Sequence, residues 1–171
     1  MRLSPIVTSI PEVAALLAQA DYTDEKLASG TVSMRAFVAN MLNYQPGWIS
    51  MLFGVRGVFA RLFGLRQTGV PRFRTLRPES LPMTPGQRAS LFKVRAAEDE
   101  RFWIGEANDS HLHAAIAVVV EERDRGQRCF HVLTIVRYHN CTGPLYFNII
   151  RPFHHLVVGS MVHAGVQTTP L

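Results

Sequence analysis

The chain has 171 residues, 47% of them hydrophobic and 18% charged. That is enough apolar surface for a core; it makes one domain over residues 1–171 the default and excludes a disordered chain. The net charge of +5 comes from 18 basic and 13 acidic residues, and no run reaches the roughly 18 uncharged apolar residues that a membrane-spanning helix needs.

In chain order, Ser9, Pro11 and Glu12 are start signals for a short helix that carries Val13, Leu16, Leu17 and Ala20 at helical spacing. Asp21 to Leu27 is a weak strand candidate. Ser33 is placed to cap a helix through Met34, Phe37, Val38 and Met41, which closes before Pro46. A second helix is predicted from Pro46 to about Leu65, with Gly54 and Gly57 as sites of close packing. Residues 66 to 90, rich in Arg, Pro, Thr and Gly, read as a long connection. Beyond them the period changes to two, with strands predicted at Leu91–Ala96, Arg101–Ala107, His111–Glu122 and Cys129–Asn140. Short links between these strands predict an antiparallel meander. A helix from Thr142 to about Val166 closes the chain. Its expected inward stripe is Leu145, Ile149, Phe153, Leu156, Val157 and Met161, with a kink at Pro152. His154 and His155 point about 100° apart on such a helix, so one of them is expected to face solvent.

Two cysteines, Cys129 and Cys141, are too few for a disulfide scaffold and read as free thiols. Pro5, Pro11 and Glu12 interrupt any leader-like hydrophobic stretch, so the expected setting is cytoplasmic. No acidic residue lies between Glu25 and Glu79, whereas Arg56, Arg61, Arg66, Arg72, Arg74 and Arg77 all do. This segment, 56–77, is either a solvated face or a surface for an anionic or protein partner. No nucleic-acid reader motif accompanies it, so nucleic acid is not an expected partner. Phosphate-loop, dinucleotide, nucleophile-elbow and zinc-ribbon patterns are likewise absent, and no cofactor is expected.

The final hairpin carries the candidate site. A loop centred on Arg125 sets Val119 opposite His131, Ala117 opposite Leu133 and Ala115 opposite Ile135. His113 then faces Arg137 and His111 faces His139 on one side of the sheet, with Asp109 beside them. Trp103 joins them, in register with Ala115, if the preceding hairpin centres on Asp109. Apolar walls with a few convergent polar groups are the composition of a ligand pocket. The candidate ligand-binding set is therefore Trp103, Asp109, His111, His113, Arg137 and His139. Within it, His111 oriented by Asp109 is the candidate acid-base pair. A metal reading of His111, His113 and His139 has no cysteine-rich motif to support it.

Several motifs occur together: Asp21-Tyr22-x-Asp24, Gly64-Leu65, Gly105-Glu106-x-x-Asp109-x-His111-Leu112, His139-Asn140-x-x-Gly143, Tyr146-Phe147 and Pro152-Phe153-His154. In order and spacing they resemble an uncharacterised bacterial family, domain of unknown function 2867. The resemblance implies membership of the START-like superfamily, which includes the birch-pollen-allergen and polyketide-cyclase folds. It implies an α+β helix-grip, an antiparallel β-meander wrapped around a long C-terminal helix. Such proteins hold an apolar molecule between sheet and helix, and some catalyse cyclisation or hydrolysis there. The chain departs from the family pattern at His113, where an acidic residue is usual, and at Pro144, where an arginine is usual; an ion pair across the pocket mouth is not expected. The leading expectation is thus an internal cavity for a small, mainly apolar or carboxylate-bearing molecule, with an acid-base enzyme in the same cavity as the alternative.

Overall fold

The computed structural model of the chain describes residues 3–48, 75–108 and 112–167. The predicted short helix is present as α2 (Pro11–Leu17), and a further one, α1 (Pro5–Thr8), precedes it. Each opens on a proline, whose fixed φ suits a first helical turn. Ser9 does not cap the second; its hydroxyl donates to the Ile6 carbonyl at 2.7 Å and closes the first. The weak strand candidate is a full strand, β1 (Tyr22–Gly30). Helix α3 (Met34–Asn43) starts as predicted, with the Ser33 hydroxyl accepting from the Ala36 amide at 3.2 Å. Most of the helix predicted from Pro46 lies outside the described residues.

The remaining strands are β2 (Arg88–Ala89), β3 (Phe92–Glu98), β4 (Phe102–Asn108), β5 (Leu112–Glu122) and β6 (Arg128–Tyr138). They form one six-stranded antiparallel sheet in the order β1-β6-β5-β4-β3-β2. The meander is as expected, and β1 adds to its far side along β6. The fold is therefore α+β, a sheet with a long C-terminal helix, α4 (Thr142–Gly165), that carries Pro152 inside it.

The register between β5 and β6 is the predicted one, including Val119 opposite His131 and His113 opposite Arg137. Arg125 (φ 59) and Gly126 (φ 71) take the left-handed conformations that turn the chain between them. The register between β4 and β5 is not. Trp103 pairs with Val118 and Glu106 takes the place opposite Ala115. Centring that hairpin on Asp109 would set Asn108 opposite Ser110 with one residue between them, too few to reverse an antiparallel pair. The last pair is instead Asn108 with His113, a shift of three residues. An odd shift turns every β4 side chain to the other face. Trp103 therefore does not stand in register with Ala115 beside His113 and Arg137; it is fully buried on the other face beside Val118 and donates from Nε1 to the Pro82 carbonyl at 3.0 Å.

Both faces of the sheet carry a core. On one, α3 and α4 bring Phe37, Met41, Val158 and Val162 against Trp103, Val118, Phe130 and Val132. The Phe37 and Phe130 rings stack with centroids 4.1 Å apart. On the other, Val7, Ile10, Val13 and Leu16 of α1 and α2 cover Ile104, Ala117, Leu133 and Ile135. Two glycines permit the closest approaches on the first face. A Cβ on Gly165 would come within 2.6 Å of the Phe37 ring, and one on Gly105 within 2.3 Å of the Trp103 indole folded over it.

The predicted inward stripe of α4 is only half met: Ile149, Val157 and Met161 are half-buried, with Met161 against the core. Leu145, Phe153 and Leu156 are exposed, and Phe147, Val158 and Val162 are buried in their place. The helix is apolar on most of its circumference, so periodicity alone does not choose its inner side.

Candidate functional site

The rotation of α4 turns both of its adjacent histidines toward the sheet. His154 is hydrogen-bonded through Nε2 to the buried Thr134 hydroxyl at 3.2 Å. His155 lies over β1. Its Nε2 is 3.0 Å from the Tyr22 hydroxyl and its Nδ1 is 3.3 Å from Asp24 Oδ2. Of the two, His155 is the more exposed, its side chain 39% accessible, yet it does not turn away from the sheet.

Strand alternation explains how β1 supplies its half of this site. Tyr22, Asp24 and Lys26 stand at period two, opposite Val136, Thr134 and Val132 of β6, all on the side that α4 covers. Tyr22 is held by Phe147 of α4, with ring centroids 4.8 Å apart. Asp24 Oδ2 is buried and has Lys26 Nζ and His155 Nδ1 each at 3.3 Å, close in distance though neither is aligned as a hydrogen bond.

The proton positions follow from donor and acceptor rules. A carboxylate at Asp24 can only accept, so beside it the tautomer with its hydrogen on Nδ1 is the one that leaves Nε2 to take the Tyr22 hydroxyl hydrogen. In that tautomer, tyrosine, imidazole and carboxylate stand in the order by which triads activate a hydroxyl, with the imidazole–carboxylate contact at 3.3 Å and not aligned as a hydrogen bond. Burial raises the Tyr22 phenol above its usual pKa, with the Asp24 charge adding to the effect. Burial also lowers the His154 imidazole to about 4, helped by the neighbouring His155. His154 is therefore neutral at pH 7, and the two adjacent histidines differ in role because they differ in cover.

His155 also borders an open groove of about 370 Å³ on the outer side of α4, between that helix and Tyr44. Leu156, Gly159, Ser160 and His163 form its wall along the helix. A Cβ on Gly159 would lie 3.9 Å from the Lys26 side chain, so the lysine stem runs beside the same wall.

The residues predicted from sequence fall elsewhere. His113, Arg137 and His139 are brought together, as the hairpin register implied, in a pocket of about 230 Å³. It opens on the face of the sheet covered by α1 and α2, with Leu16 and Gln19 in its wall, so these residues do not close a cavity under the C-terminal helix. Arg137 donates to Gln19 Oε1 at 2.6 Å, His139 Nε2 lies 2.8 Å from Asn108 Oδ1, and His113 Nε2 lies 3.3 Å from Glu106 Oε2. Arg95, at 3.1 Å, shares that Glu106 oxygen. Asp109 and His111, the candidate acid-base pair, lie outside the described residues, as do Arg56, Arg61, Arg66, Arg72 and Arg74 of the basic segment. The three-histidine metal reading consequently lacks one member there, and its other two histidines are engaged with Glu106 and Asn108.

The sequence reading did not name Tyr22, Asp24 or His155 as functional. Tyr22 and Asp24 stand in the motif Asp21-Tyr22-x-Asp24, and His155 directly follows Pro152-Phe153-His154. The parity of 22 and 24 was available as a signal; the contact with a helix some 130 residues away was not. Among described proteins, no curated chain matches this one. The profile of a family described as a protein of unknown function, DUF2867, matches residues 16–161, a span that holds both histidine clusters, and the chain belongs to that family.

Proposed function

We propose that the protein is a START-like helix-grip domain that binds a small, mainly apolar molecule on the C-terminal-helix side of its sheet, where His155, backed by Asp24 and Tyr22, meets the polar end of the ligand. The observation that carries this reading is that one side chain, His155, belongs both to the wall of the groove and to the cluster of Tyr22 and Asp24, hydrogen-bonded to the first and 3.3 Å from the second. An apolar concavity with few, convergent polar groups is the ordinary form of a small-molecule site. The sheet order, with β1 returning beside β6 and a long helix across the same face, supports the helix-grip assignment. A cytoplasmic setting belongs to the same proposal, supported by two unpaired cysteines, one of them exposed.

Acid-base turnover in the same groove is the second reading, favoured by the Tyr22, His155 and Asp24 cluster itself. The test combines native mass spectrometry of the purified protein with titration of the apolar dye 1-anilinonaphthalene-8-sulfonate. An organic adduct that the dye displaces, with dye affinity at least tenfold weaker in Leu156→Glu and little changed in Arg137→Ala, upholds the groove. The reverse pattern moves the site to the pocket beside α2 and overturns the proposal. Once an adduct is identified, loss of its conversion in His155→Ala with binding retained separates an enzyme from a binding domain.

A further inference from the structure

On the opposite face of the sheet, His131 of β6 is almost completely buried between two carboxylates. Its Nδ1 is 2.8 Å from Glu25 Oε1, and its Nε2 is 3.2 Å from Glu121 Oε2. Cys129 lies two residues before His131 on the same strand, hence on the same face, and pairs across the ladder with Glu121. Glu121, Cys129 and His131 each present one donor atom, all within 4.8 Å of one another.

Hydrogen bonds complete this arrangement only with two hydrogens on the ring, one for each carboxylate. A neutral imidazole has one N–H and one lone pair. With Nδ1–H of a neutral ring donating to Glu25, the lone pair of Nε2 faces a carboxylate oxygen of Glu121, and the contact is satisfied by a second proton or by a metal ion between them. Two ligands about 2.0–2.2 Å from a tetrahedral zinc ion stand about 3.3 Å apart, close to the separation of Nε2 and Oε2. The contact from Glu25 to Nδ1 is the one that metal-bound histidines use to fix their ring and raise their basicity.

We propose that Glu121, Cys129 and His131 bind a borderline-soft divalent cation, zinc in the first place, with Glu25 as the orienting partner of His131. Thiolate, imidazole and carboxylate together select zinc or cobalt over magnesium or calcium, which prefer oxygen ligands. Three protein ligands leave a fourth position for water or a further ligand. Arg123 donates to the same Glu121 oxygen at 3.1 Å from an exposed guanidinium, which turns to water when an ion takes that lone pair.

The experiment uses the full chain, stripped with chelator and carrying Cys141→Ser so that Cys129 is its one thiol. Cobalt(II) is added and followed by absorption, and zinc(II) by calorimetry. One equivalent of cobalt with a sulfur-to-metal charge-transfer band is the expected result. Cys129→Ser removes the band and weakens zinc at least tenfold. Glu25→Gln keeps the band and weakens zinc by about 10- to 100-fold, the usual loss for an orienting partner. No binding, or binding without the band, overturns the site and leaves a proton between His131 and Glu121. The band in the parent chain and the Glu25→Gln titration decide the matter even if Cys129→Ser fails to fold.

Discussion

The two faces of the sheet carry similar side chains under very different cover. Beneath α4, a helix of 24 residues presses Tyr22, Asp24, His154 and His155 against β1 and β6. Beside α2, which ends at Leu17, His113, Arg137 and His139 stand at an exposed end of the same strands. Burial makes the difference: it holds His154 neutral on the first face, whereas the strand ends beside α2 are laced by ion pairs and amide contacts that share their charge with water. Residue type alone therefore does not mark the site; local cover does, and on the second face it constrains His131, which is buried between Glu25 and Glu121, but not His113 or His139 at the strand ends.

The largest test of this division is Trp103, the side chain that the structure moves from one face to the other. Buried in the core under α3 and α4, its replacement by Ala is expected to lower unfolding free energy by about 3–5 kcal/mol, as large aromatic truncations in cores do. Urea denaturation followed by circular dichroism measures it. A loss under about 1 kcal/mol would return Trp103 to a pocket wall. Gly105→Ala acts on the same contact from the other side, pressing a methyl group into the indole, with an expected loss of about 1–3 kcal/mol.

The next effect is one of pH and belongs to the α4 face. Unfolded, His154 takes up a proton as pH falls through about 6.5; folded, it resists protonation down to about 4, because burial and the neighbouring His155 disfavour its charge. The unfolded chain thus binds more protons across this window, and stability falls as the solution is acidified from pH 6.5 toward 4, by up to about 3 kcal/mol in total. Above pH 6.5 this contribution is constant. His154→Gln is expected to flatten the urea midpoint over that window, whereas His139→Gln on the other face leaves its slope in place. An unchanged slope in His154→Gln would show that His154 is not the group excluded from charge.

How much of this could be read beforehand follows the range of the interactions. The register of β5 and β6 was legible because one turn and two alternating runs determine it, and it brought His113 to Arg137. The register of β4 was misread because three residues of hairpin geometry change which face a strand presents, and sequence alone gives that loop no fixed centre. Helix α4 was found almost to the residue, but its rotation was not, since Phe153 and Leu156 are as apolar as the Phe147 and Val158 that are buried. The groove site was out of reach for the same reason. Tyr22 and His155 are 133 positions apart, and only the packing of α4 on β1 joins them.

The smallest effect expected is on the face that sequence reasoning favoured. Arg137 reaches Gln19 across an exposed edge, and its neighbours Arg95 and Glu106 form a pair with side chains 41% and 28% exposed. Such contacts are screened and lose side-chain entropy, so Arg137→Ala is expected to change stability by no more than about 1 kcal/mol. Thermal denaturation at low and high salt checks it: a small shift that salt does not enlarge fits a solvated edge. A loss of several kcal/mol would mean that α2 seals this end of the sheet as firmly as α4 seals the other, and the contrast between the two faces would then lie in chemistry and not in cover.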